Sequence, residues 1–348
     1  MLNILFLNKL LYFVIAYLCL FMRCLNSRIL SNVGFVIILY CIFNLYLRNI
    51  PKLDIITYRE VIDLNYYFLA FEPGFSFLVW MFGMFFVESK NIVFAIQVLL
   101  AVLYLTYFGF FVSQKSNINR LERLLLVVLS VAFILGVNNN LRQGFAVLFL
   151  IWIIDTIIDV DLARSKKIVR AIVLLIIAMS FHRSSAIFFI YFSFFIFFYN
   201  ILRINHLSKI VVIVLVNILL ALSLQTILEL FAYTAYNNVT LAEGRVSVSL
   251  KIYLYLLMVI CLTIIFRRLF TQEILALINH LRFSIAFLAL IICITTGSGE
   301  LASRLFYFCL ALDLYLVIYT ACKNKISYSI ISGMTGILAI NSINIWVL

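Results

Sequence analysis

Residues 168–201 read IVRAIVLLIIAMSFHRSSAIFFIYFSFFIFFYNI, two long apolar runs separated by a short polar turn. A helix needs roughly 20 apolar residues to span a hydrocarbon core about 30 Å thick. The whole chain of 348 residues has the character of this segment, with 66% hydrophobic and 11% charged residues. Such a composition leaves too little polar surface to cover a water-soluble globule. The sequence therefore predicts an all-α, polytopic integral membrane protein that forms a single membrane domain over residues 1–348.

Apolar segments of this kind recur along the chain and predict about 12 transmembrane helices. A further apolar run, residues 75–87, is too short to span, and we expect it to form a re-entrant or interfacial half-helix. The predicted spans are 4–22, 29–47, 92–113, 123–137, 145–158, 168–181, 185–201, 210–230, 250–266, 283–296, 305–322 and 328–347.

The basic residues predict the orientation of these spans, because short cytoplasmic loops are enriched in Lys and Arg. If residues 75–87 do not cross, most of the 26 basic residues fall on one side, which we expect to be cytoplasmic. The loops on that side are 23–28, 114–123, 159–170, 202–209, 267–282 and 323–327. On the opposite side we expect a first outer loop at 48–74 and a second long outer loop at 231–249, a candidate lid.

Arg142 lies in GVNNNLRQGFAV, where amide side chains surround it at the junction of two predicted spans. One interpretation is an interfacial arginine whose charged end reaches the lipid headgroups. The other is an anion site, since a guanidinium grips phosphate oxygens in a bidentate manner. In that case the amides of Asn140 and Gln143 hydrogen-bond a sugar or a phosphate.

His182 and Arg183 open the next hairpin on the same predicted face. A histidine at a membrane boundary is often structural, which is the first interpretation. The second is catalytic, because imidazole accepts a proton from a hydroxyl near neutral pH and an adjacent arginine stabilises developing negative charge.

Acidic and basic residues in three other outer segments complete the set of candidates. Glu72 precedes Pro73 and Gly74, so it either caps the half-helix or orients a sugar hydroxyl or the histidine. Glu300 and Arg304 are four residues apart and either pair on a helix or contact the substrate. The remaining candidate, from the second outer loop, is Arg245.

Several classes of site are not supported by the sequence. The seven cysteines lie in or beside predicted spans without paired loop spacing, which argues against disulfides and a zinc site. We predict no metal and no cofactor. The formal net charge of +12 is explained by membrane topology, and we expect no nucleic-acid partner.

Three stretches in order resemble the EpsG-like family of bacterial polysaccharide polymerases, which includes Wzy-type O-antigen and capsule polymerases. They are FEPGFSFL at 71–78, NNLRQGFAVLFL at 139–150 and FHRSSAIFF at 181–189. The resemblance covers roughly residues 54–200, with a looser match at SRLFYF, residues 303–308. It implies a GT-C-like membrane glycosyltransferase architecture in the bacterial inner membrane, with the active site facing the periplasm.

The resemblance also implies a reaction, the polymerisation of oligosaccharide repeat units carried on undecaprenyl pyrophosphate. On this hypothesis Arg142, helped by Arg304 or Arg245, holds the pyrophosphate. His182 accepts the proton of the acceptor hydroxyl, assisted by Arg183, and Glu72 orients the sugar or the base. We expect the partners to be the lipid-linked oligosaccharides, the bilayer, a chain-length regulator and a flippase.

Two other functions remain open from the residues alone. A flippase for the same lipid-linked units also has about twelve spans, but it predicts charges at mid-membrane positions and two related halves. A metal-assisted glycosyltransferase that uses a polyprenyl-phosphate sugar would take its ligands from acids of the first outer loop, namely Asp54, Glu60, Asp63 and Glu72.

Overall fold

The computed structural model describes residues 53–111, 141–159, 161–183, 242–265, 273–296 and 299–321, with scattered positions within 123–140, 185–195 and 211–220. In these ranges the regular structure is helical and includes no strand, which confirms the predicted all-α class. The helices are α1 Leu53–Asp63, α2 Tyr67–Ala70, α3 Pro73–Gly83, α4 Ser89–Thr106 continued by a π-helix at Tyr107–Phe111, α5 Leu141–Ile158, α6 Arg164–Phe181, α7 Ala242–Ile265, α8 Glu273–Thr296 and α9 Gly299–Ala321.

Six of the predicted spans coincide with described helices, α4 to α9. Within the described ranges, three helical segments have the length and apolar composition to cross a bilayer: Ser89–Phe110, Leu141–Ile158 and Leu275–Thr295. The total of about 12 spans stays a prediction. Six predicted spans lie outside the described residues, wholly or except at scattered positions: 4–22, 29–47, 123–137, 185–201, 210–230 and 328–347.

Several loop boundaries predicted from hydropathy are shifted by helix ends that carry polar residues. The first outer loop, 48–74, contains α1 and α2, and α7 begins at Ala242 inside the predicted loop 231–249. On the predicted inner side, α8 begins at Glu273, so most of loop 267–282 is helical. Polar residues in a first helical turn are favourable because they reach water, and a hydropathy count reads that turn as loop.

The chain divides into two compact units, of which the first is Met1–Phe189 with Val317–Leu348. Here α5 and α6 pack against each other along their length, and α5 is buried on nearly every side. On α6, Ala171, Leu174 and Ala178 are buried, whereas Ile172 and Ile176 are exposed. A helix with apolar residues on both faces is suited to packing on protein with one face and on lipid with the other.

A glycine fixes how closely α4 approaches the start of α5. A Cβ atom on Gly144 would lie 2.8 Å from Leu100 Cδ2 and 3.0 Å from the Cα of Gly136. Because α4 and α5 lie so close together at this point, the Tyr104 hydroxyl of α4 reaches the Gly144 carbonyl oxygen of α5 and donates a hydrogen bond of 3.2 Å. The glycine that follows Arg142 and Gln143 therefore allows close packing of two helices beside Arg142.

The second unit, Ile190–Leu316, contains a buried polar cluster formed by α7, α8 and α9. Arg282 Nη1 lies 2.5 Å from Asp313 Oδ1, and the Tyr255 hydroxyl donates to Asp313 Oδ2 at 2.8 Å. Arg282 Nε also donates to Asn279 Oδ1 at 2.9 Å. The prediction that Arg282 belongs to an inner loop is therefore wrong: it is buried within a helix, because a carboxylate on the neighbouring helix neutralises its charge.

Candidate functional site

A tight turn between α2 and α3 carries Glu72 in the first unit. Pro73 occupies the first turn of α3, where its missing N–H costs no hydrogen bond. The Ser76 hydroxyl donates to the backbone oxygens of Tyr67, at 2.9 Å, and Phe71, at 3.3 Å. These bonds hold α2 against the start of α3 and fix the direction in which the chain presents Glu72.

Glu72 occupies the N-cap position of α3, yet its side chain makes no capping hydrogen bond. Its carboxylate is directed to two distant parts of the chain instead. Oε2 accepts a hydrogen bond of 2.8 Å from Arg142 Nη1, at the start of α5. Oε1 lies 3.4 Å from His182 Nδ1 and 3.5 Å from the backbone nitrogen of Arg183, just after α6. The structure thus brings together the three residues from the three sequence stretches.

The cluster is shielded from solvent, and its charges are mutually stabilising. The side chains of Glu72 and His182 are each 8% exposed, whereas that of Arg142 is 24% exposed. Burial by itself raises the pKa of Glu72, but the hydrogen bond to His182 and the positive charge of Arg142 outweigh it and lower the pKa to about 2. Glu72 is therefore ionised at neutral pH.

Aromatic rings surround the guanidinium of Arg142. Its Cζ atom lies 5.3 Å from the ring centroid of Phe71 and 5.8 Å from that of Tyr58. These two rings pack edge to face on each other, and both contact Phe75 of α3. A cation over such faces is stabilised by the ring quadrupoles, so the aromatic residues hold the guanidinium in place beside Glu72.

His182 is positioned by the end of α6, for which it is the C-cap residue. Its backbone N–H donates to the Ala178 oxygen, and its carbonyl accepts from the Ser185 N–H, both at 3.0 Å. Phe181 stacks on Phe145 of α5, with 4.6 Å between ring centroids. Because the preceding residue is anchored to α5, the imidazole is directed towards the turn that carries Glu72.

Gly74 allows α3 to reach this end of α6. A Cβ atom at position 74 would lie 2.5 Å from Ser180 Oγ and 2.8 Å from the Ser180 backbone oxygen. The second contact is to backbone, which cannot rotate away as a side chain can. Gly74 is therefore a condition for the contact between Glu72 and His182.

This arrangement determines which imidazole nitrogen is basic. An ionised carboxylate has only acceptor oxygens, so His182 Nδ1 carries the hydrogen and donates it to Glu72. In the neutral ring Nε2 then holds the lone pair. A carboxylate that orients a histidine in this way also stabilises the imidazolium that forms when Nε2 accepts a proton. The cluster thus combines an oriented base with a fixed cation.

The other candidates in the first unit lie near this cluster but have different surroundings. Arg183 is exposed, and its backbone N–H faces Glu72. Gln143 is buried in the first turn of α5. Asn140 is the N-cap residue of α5 and is partly buried.

The candidates of the second unit are all helical. Arg245 lies in the first turns of α7 and Glu300 at the start of α9, and the structure does not describe their side chains. Arg304 is partly buried on α9. These three residues stay predictions from the sequence.

Three of the four acids proposed as metal ligands lie on α1, and the fourth, Glu72, is paired with Arg142. Glu60 and Asp63 are exposed, and Asp54 is partly buried in the first turn. In the part of the chain that the structure describes, no group of three or more His, Cys, Asp or Glu residues has a geometry that would hold a metal ion.

Sequence reasoning missed the aromatic residues around Arg142 and the Arg282 cluster. Phe71 stands beside Glu72 in FEPGFSFL, but its contact with a cation 71 residues later has no local signal. For Arg282, the signal was the apolar spacing in EILALINHLR, which continues the helical pattern of α8 towards its beginning.

Comparison with known proteins adds the family. No curated protein and no solved structure matches the chain significantly. The sequence model of the EpsG family matches residues 33–347, nearly the whole chain, and the match includes all three residues of the cluster. The extent of this match shows that the chain belongs to the EpsG family.

Proposed function

We propose that this protein is an oligosaccharide repeat-unit polymerase of the bacterial inner membrane. It transfers a glycan from undecaprenyl pyrophosphate to the end of a second lipid-linked chain on the periplasmic side. Membership of the EpsG family supports a role in polysaccharide synthesis. The observation that carries the proposal is the Glu72–Arg142–His182 cluster, because it joins an oriented base to a cation suited to an anionic leaving group.

The proposed step is a single displacement at the anomeric carbon of the donor. The acceptor hydroxyl oxygen forms a bond to this carbon, while the bond between the same carbon and the pyrophosphate oxygen breaks. The hydroxyl proton passes to His182 Nε2, and the electron pair of the broken bond stays on undecaprenyl pyrophosphate. The resulting imidazolium is stabilised by Glu72, to which its Nδ1–H already points.

Arg142 supplies the positive charge for the leaving group in this scheme. One of its nitrogens bonds Glu72, and its Nε is buried with no hydrogen-bond partner among the described residues. About a quarter of the side chain is exposed, so the guanidinium is reachable from solvent. A fixed donor of this kind is typically worth about 10²- to 10³-fold in rate, because it is already oriented when charge develops. Arg183, Gln143 and Asn140 are proposed as further contacts for the pyrophosphate or the sugars, whereas Arg245, Glu300 and Arg304 stay predictions from the sequence.

The first test is genetic. A strain that lacks the gene is complemented with the native chain, with His182→Ala, or with His280→Ala as a matched control in the second unit. We expect long polysaccharide from the native chain and the control, and single repeat units from His182→Ala at equal protein level in the membrane. A normal ladder of chain lengths from His182→Ala would show that the histidine is structural.

The second test uses the purified protein with lipid-linked repeat units extracted from the deletion strain. Elongated glycan and free undecaprenyl pyrophosphate should appear together and should persist in the presence of a chelator. Loss of activity with the chelator would favour the metal-assisted glycosyltransferase. In cells, we also expect function to depend on a chain-length regulator and a flippase.

Transport of lipid-linked units is a second candidate function that one observation supports. The Arg282–Asp313 pair is buried in the second unit, and Arg282 lies inside the candidate span Leu275–Thr295. Ionisable pairs inside spans commonly mark transport pathways. Accumulation of unflipped units on the cytoplasmic side in the deletion strain would favour this function, whereas accumulation on the periplasmic side favours the polymerase.

A further inference from the structure

One face of α3 is apolar and exposed along its whole length. Phe77 is 54% exposed and Trp80 is 45% exposed, whereas Phe75 and Val79 on the other face are buried. The turn after the helix continues the exposed face with four consecutive apolar side chains, Met84, Phe85, Phe86 and Val87. We call this surface the α3 stripe.

The α3 stripe consists of exposed apolar side chains. Six large apolar side chains are exposed along it, and an exposed apolar patch marks a contact with lipid or protein. The polar residues Glu88, Lys90 and Asn91 follow immediately and are exposed. An abrupt change from exposed apolar to exposed polar residues is typical of the boundary between acyl chains and headgroups.

Two independent lengths relate this boundary to the catalytic cluster. Along α3, the 11 residues from Pro73 to Gly83 rise roughly 16 Å at 1.5 Å per residue. Along α4, Leu100, the residue that contacts Gly144, also lies roughly 16 Å from Ser89 by the same rise. Both lengths are close to half of a hydrocarbon core about 30 Å thick.

We propose that the α3 stripe lies against the acyl chains of the outer leaflet, with the turn at residues 84–88 at headgroup level. Glu72 and Arg142 then lie about one leaflet below the headgroups. Ser89, at the start of α4, then lies at the boundary. The half-helix thus crosses one leaflet, from the polar turn down to the cluster.

Exposed acidic residues of α1 lie near the cluster and need contact with water. Tyr58 of α1 packs on Phe71 and Phe75, so α1 lies at the level where α3 begins. Glu60 and Asp63 of α1 are exposed, and a carboxylate against acyl chains is costly. In the proposed position these side chains need water around them, so the proposal requires that water reaches this level from the outer side. The position of the α3 stripe does not depend on the proposed reaction.

The test measures depth by spin labelling in vesicles of phosphatidylethanolamine and phosphatidylglycerol. The seven native cysteines are replaced by serine or alanine, and single labels are placed with Phe77→Cys, Trp80→Cys, Val87→Cys and Lys90→Cys. We expect collisions with oxygen, relative to a water-soluble nickel complex, to increase from Lys90 to Val87, Trp80 and Phe77. The label at Phe77 should lie at least about 10 Å deeper than the label at Lys90, given the rise along α3.

Two outcomes would overturn the proposal. Greater access of the nickel complex at positions 77 and 80 would mean that the stripe faces water, and access for neither reagent would mean that protein covers it. Where the cysteine-free chain does not fold, Trp80 fluorescence gives the same information after Trp152→Phe and W346F. Quenching of Trp80 by brominated acyl chains is then expected, and quenching by aqueous acrylamide alone would contradict the proposal. Neither readout depends on polymerase activity.

Discussion

Replacing Glu72 by glutamine keeps the shape of the side chain but removes the charge that holds the cluster together. The displacement of its pKa from 4.5 to about 2 corresponds to about 3 kcal/mol of stabilisation of the ionised carboxylate. Solvent screens this interaction weakly, because the side chain is only 8% exposed. In Glu72→Gln the Arg142 guanidinium loses its counter-ion, and His182 loses the charge that stabilises its protonated form.

We expect Glu72→Gln to lower polysaccharide synthesis by about 10²-fold, the range for loss of one oriented charge partner. The same charge acts on Arg142, so the two side chains form a coupled pair. The double variant with Arg142→Gln should therefore be little worse than Arg142→Gln alone, since residues in one network are not additive.

The assay is the rate of glycan elongation by purified protein, with the melting temperature in detergent measured alongside. Glu88→Gln is the matched control, because it removes an exposed carboxylate at the N-cap of α4. It should leave rate and melting temperature unchanged. Additive losses of rate in the Glu72→Gln and Arg142→Gln double-mutant cycle would refute the reasoning. So would a Glu72→Gln rate within threefold of the native rate, a difference of only about 0.7 kcal/mol in activation free energy at 1.4 kcal/mol per tenfold change.

Three further predictions concern stability, read as melting temperature in detergent. The pKa of Glu72 is lowered in the folded protein, so the stability that its ionised carboxylate contributes is complete above about pH 4.5 and is lost as pH falls towards 2. The Glu72→Gln variant should lack this acid-dependent loss of stability. Identical pH profiles of the melting temperature for the two proteins would contradict the prediction. Gly74→Ala should destabilise the protein by about 1 to 3 kcal/mol, because the new methyl group clashes with the backbone of Ser180. Gly83→Ala should not, since the nearest atom to its methyl group would be 3.9 Å away. Equal effects of the two substitutions would contradict the close packing at Gly74. Asp313→Asn should lower the free energy of unfolding by about 3 to 5 kcal/mol, because it leaves the Arg282 charge unpaired. The double variant Arg282→Met, Asp313→Leu should recover most of this stability. A double variant as unstable as Asp313→Asn would contradict the prediction that apolar residues can replace the ion pair.

The local features of the first unit were readable from the sequence. Pro73 and Gly74 after an acid predicted a turn followed by a short helix, and α3 begins at Pro73. Hydropathy predicted α5 and α6 to within a few residues, since apolar runs of that length are helical in a membrane. These predictions needed only the residues within one or two helical turns.

The partners of charged residues were not readable, because they lie far apart in the chain. The capping alternative for Glu72 used only its neighbours, while its actual partners are 70 and 110 residues away. Arg282 was assigned to a loop because hydropathy counts its charge as exposed, and its neutralising carboxylate is 31 residues later. Glu300 and Arg304 do share a helix, but the sequence does not decide between a mutual pair and a substrate site.

The order of the three cluster residues along the chain sets the order in which the site can assemble during synthesis. Glu72 emerges from the ribosome first, and its ion pair with Arg142 becomes available when the start of α5 has been made. His182 follows only after α6, so the imidazole joins a carboxylate whose charge is already balanced. A nascent chain that stops before α6 therefore has the acid–guanidinium pair but lacks His182.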